Sequence, residues 1–296
     1  MSGRPSIADV RDVLAVHLPG QPSGAVVELG AGLENVAYEV DGALVVRFSR
    51  EPDPVRRAEL VGHEARLLAA VARVSPLPVP EPVFAAPELG CLAYAKLPGV
   101  PLPESPRPGR AEHDTSIAAT LGELLAVLHA EPVERWRGLV EVDDQPPAEW
   151  LREAAELHEA VAEHVPVAHR HAVEAFFDSP PPERGHDLVF SHNDLGIEHV
   201  LVDPGGWTVT GVIDWSDAAL VDPAYDFGLL HRDLGPVALR AALERYPAAA
   251  DITSLVERAV FYARCSVFED LAYGVDTGRV GYLDRGVGAM AWLFPG

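Results

Sequence analysis

The sequence is short of cysteine, of lysine and of positive charge. Cys91 and Cys265 stand alone in 296 residues, which supports neither a disulfide framework nor a thiolate metal cluster. Lys96 is the only lysine, so arginine carries nearly every cationic role. Lys plus Arg number 23 against 45 Asp plus Glu, a formal net charge of −22. A field of that sign repels nucleic acid and anionic membrane and attracts cationic ligands; the alternative is that it serves solubility alone. No stretch reaches the roughly 18 consecutive apolar residues of a membrane span. The first residues, Met1-Ser2-Gly3-Arg4-Pro5-Ser6, lack the apolar run of a signal peptide. The expectation is a cytoplasmic protein with no nucleic-acid or membrane partner. Hydrophobic residues make up 48% and charged residues 23%, so an ordinary globular chain with room for two packed lobes is expected.

Local patterns divide the chain. Ser6 to Leu18 reads as a short helix opened by a capping box of Ser6 and Asp9. Val26 to Val46 reads as strand, glycine turn (Gly30-Ala31-Gly32-Leu33-Glu34-Asn35), strand, an Asp41-Gly42 hairpin and a returning strand that presents Arg47. A helix is predicted from Pro54 to about Val74, followed by a proline-rich loop over 75–87 and a strand near Leu92 to Ala95. Pro98 to Arg110 has a connector composition, which sets the expected boundary between a lobe of residues 1–97 and one of residues 98–296. Beyond it lie a buried helix marked by Ile117, Leu121, Leu124, Leu125 and Leu128, and a polar helical region from Pro147 to about Phe177. Two more helices follow, one capped by Asp251 and running through Leu271, the other from Gly281 to Trp292. The expected fold is α+β, with a small antiparallel β-sheet lobe carrying one or two helices and a larger, mainly helical second lobe.

The chemistry-bearing stretch is Phe190-Ser191-His192-Asn193-Asp194-Leu195-Gly196-Ile197-Glu198-His199, with Val212-Ile213-Asp214-Trp215 behind it. A His-x-Asp turn, a ligand-type residue five positions later and a lone Asp after an apolar run are the parts phosphoryl transfer needs. Asp194 is the expected general base, taking a proton from an attacking hydroxyl. His192 more readily braces the loop than reacts. Asp214 is expected to leave a buried strand end, where a magnesium ion would offset the cost of its charge.

Taken in order, these segments resemble the aminoglycoside phosphotransferase-like small-molecule kinases, whose fold is bilobal and protein-kinase-like. The resemblance rests on the glycine turn, Val45-Val46-Arg47-Phe48, His63-Glu64-Ala65-Arg66, Leu97-Pro98-Gly99, Leu124 to His129, His192-Asn193-Asp194, Ile213-Asp214-Trp215 and Asp222 to Phe227. His192-Asn193-Asp194 with His199 is most similar to the aminoglycoside 2″-phosphotransferases, and the His also occurs in macrolide phosphotransferases. The resemblance implies an enzyme that uses magnesium to move the terminal phosphate of ATP or GTP onto an alcohol group of a small molecule. A cationic aminoglycoside is the first candidate. A macrolide, or a metabolite such as choline, homoserine or a sugar, is the alternative, and a non-catalytic binding protein the third class. A monomer or homodimer is expected.

The same resemblance assigns roles to particular residues. His199 stands where most such kinases carry Asn, and either ligates the metal with Asp214, contacts it through water, or packs locally. Arg47 stands in the place of the phosphate-binding lysine, with Glu64 as its partner and Glu59 as the competing one. Gly30, Gly32 and Asn35 cover the nucleotide phosphates, unless the glycine pair is a hairpin turn and no more. Tyr94 and Lys96 belong to the hinge that offers backbone groups to the base. Asp217 is the expected contact for a cationic acceptor, with Asp233, Glu269 and Asp270 as weaker candidates that solvation alone would also explain. Asp222 and Asp226 are expected to bond N–H groups in the turn after the metal site.

Overall fold

The computed structural model describes residues 5–20, 24–32, 34–105, 110–183, 187–247 and 251–296. Met1 to Arg4, Leu33 of the glycine turn and residues 106–109 of the connector lie outside the described residues. Two compact units are formed, one from Met1–Gly99 with Thr210–Ser216, the other from Val100–Val209 with Asp217–Gly296.

The first unit contains α1 (Ile7–His17), β1 (Val26–Ala31), β2 (Asn35–Val40), β3 (Leu44–Ser49), α2 (Pro54–Val71), β4 (Pro82–Ala86) and β5 (Cys91–Ala95). Its sheet has the order β1-β2-β3-β5-β4, and every pair is antiparallel. Ser6 and Asp9 close the expected capping box on α1. The hairpin between β2 and β3 turns at Asp41 and Gly42, with φ of 52° and 71°, the left-handed pair that Asp-Gly accommodates. Strand alternation sends Val36, Tyr38, Val40, Val46 and Phe48 to one face, where Val10, Val13 and Leu14 of α1 cover them. The intervening Arg47 is directed away from that core. The proline-rich stretch read as a loop contains β4, which the prolines tolerate because it is an edge strand.

The second unit contains β6 (Val100–Pro101), α3 (Arg110–His129), α4 (Val133–Trp136), β7 (Glu141–Val142), α5 (Pro147–Val161), α6 (Arg170–Phe177), β8 (Val189–Ser191), β9 (Val200–Val202), β11 (Ala219–Val221), α7 (Ala224–Leu243), α8 (Ile252–Thr277) and α9 (Val280–Leu293). Strand β10 (Val209–Val212) falls at the division between the units. The predicted stripe on α3, Ile117 to Leu128, is fully buried. Gly122 lets α3 meet α7 closely, since a Cβ there would stand 2.2 Å from the Ala242 carbonyl oxygen. Sequence patterning did not reveal α7, because Gly235 (φ 83°) and Pro236 interrupt its periodicity. No helix among the described residues is long and apolar enough to cross a membrane.

Candidate active site

The loop after β8 is held from behind by one carboxylate. Asp226, in the first turn of α7 and fully buried, accepts hydrogen bonds from the Ser191 hydroxyl (2.5 Å) and from the N–H groups of Asn193 (3.0 Å) and Leu195 (3.1 Å). Asn193 adopts φ of 63°, a left-handed turn that Asn tolerates, and its amide donates to Asp143 (3.3 Å). Asp194 lies between these anchored N–H groups. Asp226 was expected to serve the turn after Asp214; instead it fixes the loop of the expected base. Asp222 does bond locally, to the Ala224 N–H (2.8 Å), and also accepts from Arg258 (2.8 Å) and the Tyr262 hydroxyl (3.0 Å).

Behind Asp226 runs a buried chain of polar groups. Ser191 gives its proton to Asp226, so its oxygen accepts from His129 Nε2 (2.9 Å), and His129 Nδ1 accepts from the Tyr246 hydroxyl (2.9 Å). This directionality needs a neutral imidazole, and burial pushes the His129 pKa down to about 3. An unfolded histidine takes its proton near 6.5, so between those values the unfolded chain binds one more proton and stability is lost as pH falls. His129→Gln removes that dependence. The stability difference between wild type and variant, measured by denaturant unfolding, should shrink by about 1.4 kcal/mol from pH 7.5 to 5.5. A constant difference would mean that the ring is not held neutral.

The Asp194 side chain is held yet accessible. Its side chain is 44% exposed, yet burial pushes its carboxyl up to about 7, helped by the Asp217 and Glu198 carboxylates and opposed by His199 and Arg232. His199 Nδ1 donates to the Asp194 carbonyl (2.8 Å) and lies 3.4 Å from its carboxylate. This sets the tautomer and leaves the lone pair on Nε2, the form a metal ligand requires. His192 is fully buried and stacks against His199 with ring centroids 6.0 Å apart.

The acidic candidates separate. Asp217 is exposed and within electrostatic reach of Asp194. Asp233 is not open to an acceptor: its carboxylate takes two hydrogen bonds from Arg232 (2.7 and 3.2 Å) and one from the Ile197 N–H (3.1 Å). It anchors the loop. Asp270 faces the same guanidinium at 3.4 Å, and burial raises its pKa. Glu269 is raised by burial too, with Arg232 opposing. Arg232 and His129 carry structural weight that the sequence reading did not give them. His129 closes the apolar stripe of α3, and that position was the available signal.

In the first unit Arg47 pairs with Glu64, while Glu59 is exposed, which settles the choice between them. Burial works against the Arg47 charge, but Glu64, Tyr94 and Asp214 outweigh it and hold the guanidinium above its ordinary pKa. Tyr94 is raised by burial. Asp214 follows buried Val212, is exposed, has φ of 64° and accepts from the Ser216 hydroxyl (3.0 Å). Gly211 lets the chain pass closely there, since a Cβ would stand 2.7 Å from the Leu97 side chain and 3.0 Å from the Pro78 carbonyl oxygen, which receives the Val212 N–H. Trp215 is buried core, as expected. Two of the nucleotide candidates have backbone N–H groups already bonded within the sheet lobe. The Gly32 N–H is bonded across its turn to the Asn35 carbonyl (2.9 Å), so it is not presented to a phosphate. Lys96 donates its N–H to Ala43 (2.8 Å) and its ammonium to Glu39 (2.5 Å), closing the sheet. Gly30 follows a bulge in β1, with open space at its Cβ position.

Residues 25–260 match the family model described as APH, phosphotransferase enzyme family. The chain belongs to this phosphotransferase family. Over 82 residues it is 40% identical to the aminoglycoside 3′-phosphotransferase of Streptomyces fradiae, 25% of this chain and 30% of that one. The matching stretches span less than a third of the curated relatives concerned. The fold is shared over the full length with the GDP and kanamycin complex of APH(2″)-IIIa, at 23% identity, coverage of 95% and 96%, and TM-score 0.70. It is shared also with the macrolide 2′-phosphotransferase MphH of Brachybacterium faecium, at 25% identity, coverage of 96% and 98%, and TM-score 0.63. The bilobal, protein-kinase-like fold class of this chain is therefore as expected. For a divalent ion, the chain offers an imidazole with its Nδ1 proton already committed and an exposed carboxylate at a left-handed turn. The imidazole belongs to the second unit and the carboxylate to the first, and each alone is a donor type that divalent ions accept.

Proposed function

We propose that this chain transfers the terminal phosphate of ATP or GTP to a hydroxyl of a small cationic molecule, first among them an aminoglycoside. The observation that carries the proposal is the clamped loop, in which Asp226 fixes the N–H groups on either side of Asp194 while the Asp194 carboxylate stays accessible. Asp194 accepts the proton of the acceptor hydroxyl as that oxygen attacks the terminal phosphorus. Arg47, held by Glu64, faces nucleotide phosphate, and the backbone near Gly30 and Asn35 lies against the same group. Asp214 and His199 are the proposed magnesium-binding residues, each argued from its own unit. Magnesium, when bound, neutralises phosphate charge and orients the transferred group. His192 keeps the loop in shape.

Asp217 is the proposed contact for an acceptor ammonium, since it is exposed and lies within reach of the base. Asp217→Asn is expected to raise the acceptor's KM about tenfold, the scale of one lost charged contact, with the nucleotide's KM unchanged. High salt should weaken acceptor binding in the wild type more than in the variant. Equal effects on both substrates would remove Asp217 from the acceptor site.

The deciding experiment is acceptor-dependent phosphate transfer from ATP and GTP across aminoglycosides, macrolides, choline, homoserine and simple sugars. The second reading is a macrolide acceptor with a dimethylamino sugar, favoured by the full-length likeness to a macrolide 2′-phosphotransferase. Transfer to neutral acceptors alone would overturn the cationic reading, and failure to transfer to any would overturn the activity.

A further inference from the structure

The loop of the candidate base ends in a single 3₁₀ turn, Ile197–His199. A lone turn of this kind closes few hydrogen bonds of its own, so its orientation is set by what it packs against. That orientation matters, because His199 Nδ1 reaches the Asp194 carbonyl at 2.8 Å, and a rotated turn breaks this contact. Ile197 supplies one anchor: its side chain is fully buried and its N–H is bonded to Asp233 (3.1 Å). Both of those holds act at the same residue, which leaves the turn free to pivot about it. A second anchor is needed at another residue.

Glu198 is placed to be that anchor. Its side chain folds back across the loop, where a Cβ at Gly196 would stand 2.9 Å from its Oε2, so the glycine gives the carboxylate its room. The carboxylate then meets α9: Glu198 Oε2 lies 3.7 Å from Arg285 Nη2, and the two side chains are only 20% and 16% exposed. That separation is an ion pair and not a hydrogen bond. Glu198 Oε2 and Arg285 Nε and Nη2 are buried with no hydrogen-bond partner among the described residues. Charge therefore holds the pair, largely shielded from water, where attraction is screened less than at the surface. Tyr282, one turn before Arg285 on α9, completes the seat. Its ring centroid lies 4.3 Å from the Arg285 guanidinium, and its hydroxyl pKa is raised by burial and by the Glu198 carboxylate.

We propose that Glu198, seated on Arg285 and Tyr282, is a positioning residue that fixes the turn carrying His199. Asp226 holds the near end of the loop, Asp233 its middle, and Glu198 its far end. The hold is a property of the fold, whereas its consequence for turnover rests on the phosphotransferase reading.

Amide hydrogen exchange on the full chain without nucleotide reads the hold directly. In Glu198→Gln the Ile197 and His199 N–H groups should exchange about fivefold faster or more, while those of Asn193 and Leu195, bonded to Asp226, stay within about twofold. Arg285→Gln should give the same local pattern. Glu198→Gln keeps the size of the side chain, so the test does not depend on the Arg285 variant folding. In phosphate transfer each single variant should lower kcat about tenfold and leave both KM values within about twofold, because no substrate contact is lost. The double variant removes both charges and strands neither, so its loss should match that of one single variant. Unchanged exchange at Ile197 and His199, or a uniform rise that includes Asn193 and Leu195, would overturn the proposal. So would a raised acceptor KM in Arg285→Gln, or a loss of about a hundredfold in the double variant, the product expected of independent residues. The expected exchange pattern in a protein that transfers phosphate to no acceptor would overturn the proposed activity and leave the hold standing.

Discussion

Asp194→Asn should lower turnover by about 10²-fold or more, while leaving nucleotide affinity within a factor of about two. The carboxamide keeps the size of the side chain and leaves the Asp226 bonds to the flanking N–H groups intact, so the loss isolates the proton-accepting role. A second readout separates this role from simple disruption. Burial pushes the Asp194 carboxyl up to about 7, so the wild-type kcat/KM should climb as pH rises through the neutral range. The sign follows from the chemistry, because only the deprotonated carboxylate accepts a proton. The residual activity of Asp194→Asn should lack this limb. Near-normal transfer by the variant, or an unchanged limb, would take the base role away from Asp194.

How far the sequence could be read depended on the length scale of each signal. Local patterns were legible: the capping box of α1, the Asp41-Gly42 turn, the α3 stripe and the Asp251 cap of α8 are all short-range signals that the fold preserves. Partnerships between distant segments were not. The competition between Glu64 and Glu59 for Arg47 is decided by which face of α2 meets β3, and both glutamates fit the sequence. Helix α7 was hidden because Gly235 and Pro236 break a periodicity that tertiary packing restores. Asp233 looked like a free surface acid, but Arg232 beside it and the Ile197 N–H claim both of its oxygens. The loop of the candidate base is marked by its spacing, whereas the groups that hold it come from the end of α3 (His129), the first turn of α7 (Asp226) and the segment just after α7 (Tyr246).

Asp226→Asn is the sharpest test of that holding role. The carboxylate accepts from three donors and is fully buried, so it offers acceptors on both oxygens to a loop that supplies only hydrogens. An amide replaces one acceptor with an N–H₂ group. Whichever way it turns, a donor then faces either the Leu195 N–H or the Ser191 and Asn193 pair, leaving buried groups unsatisfied. The expected cost is about 2–4 kcal/mol of stability, read by denaturant unfolding. At temperatures where the variant stays folded, kcat should still fall by at least about tenfold. Asp226 is fully buried behind the loop, so that loss would come from a loop no longer held in position. Asp226→Glu, which keeps the charge but moves it by one methylene, should recover part of the stability and little of the turnover. If Asp226→Asn were destabilised and yet fully active per folded molecule, the clamp would be a matter of folding alone, and the placement of Asp194 would rest on other contacts.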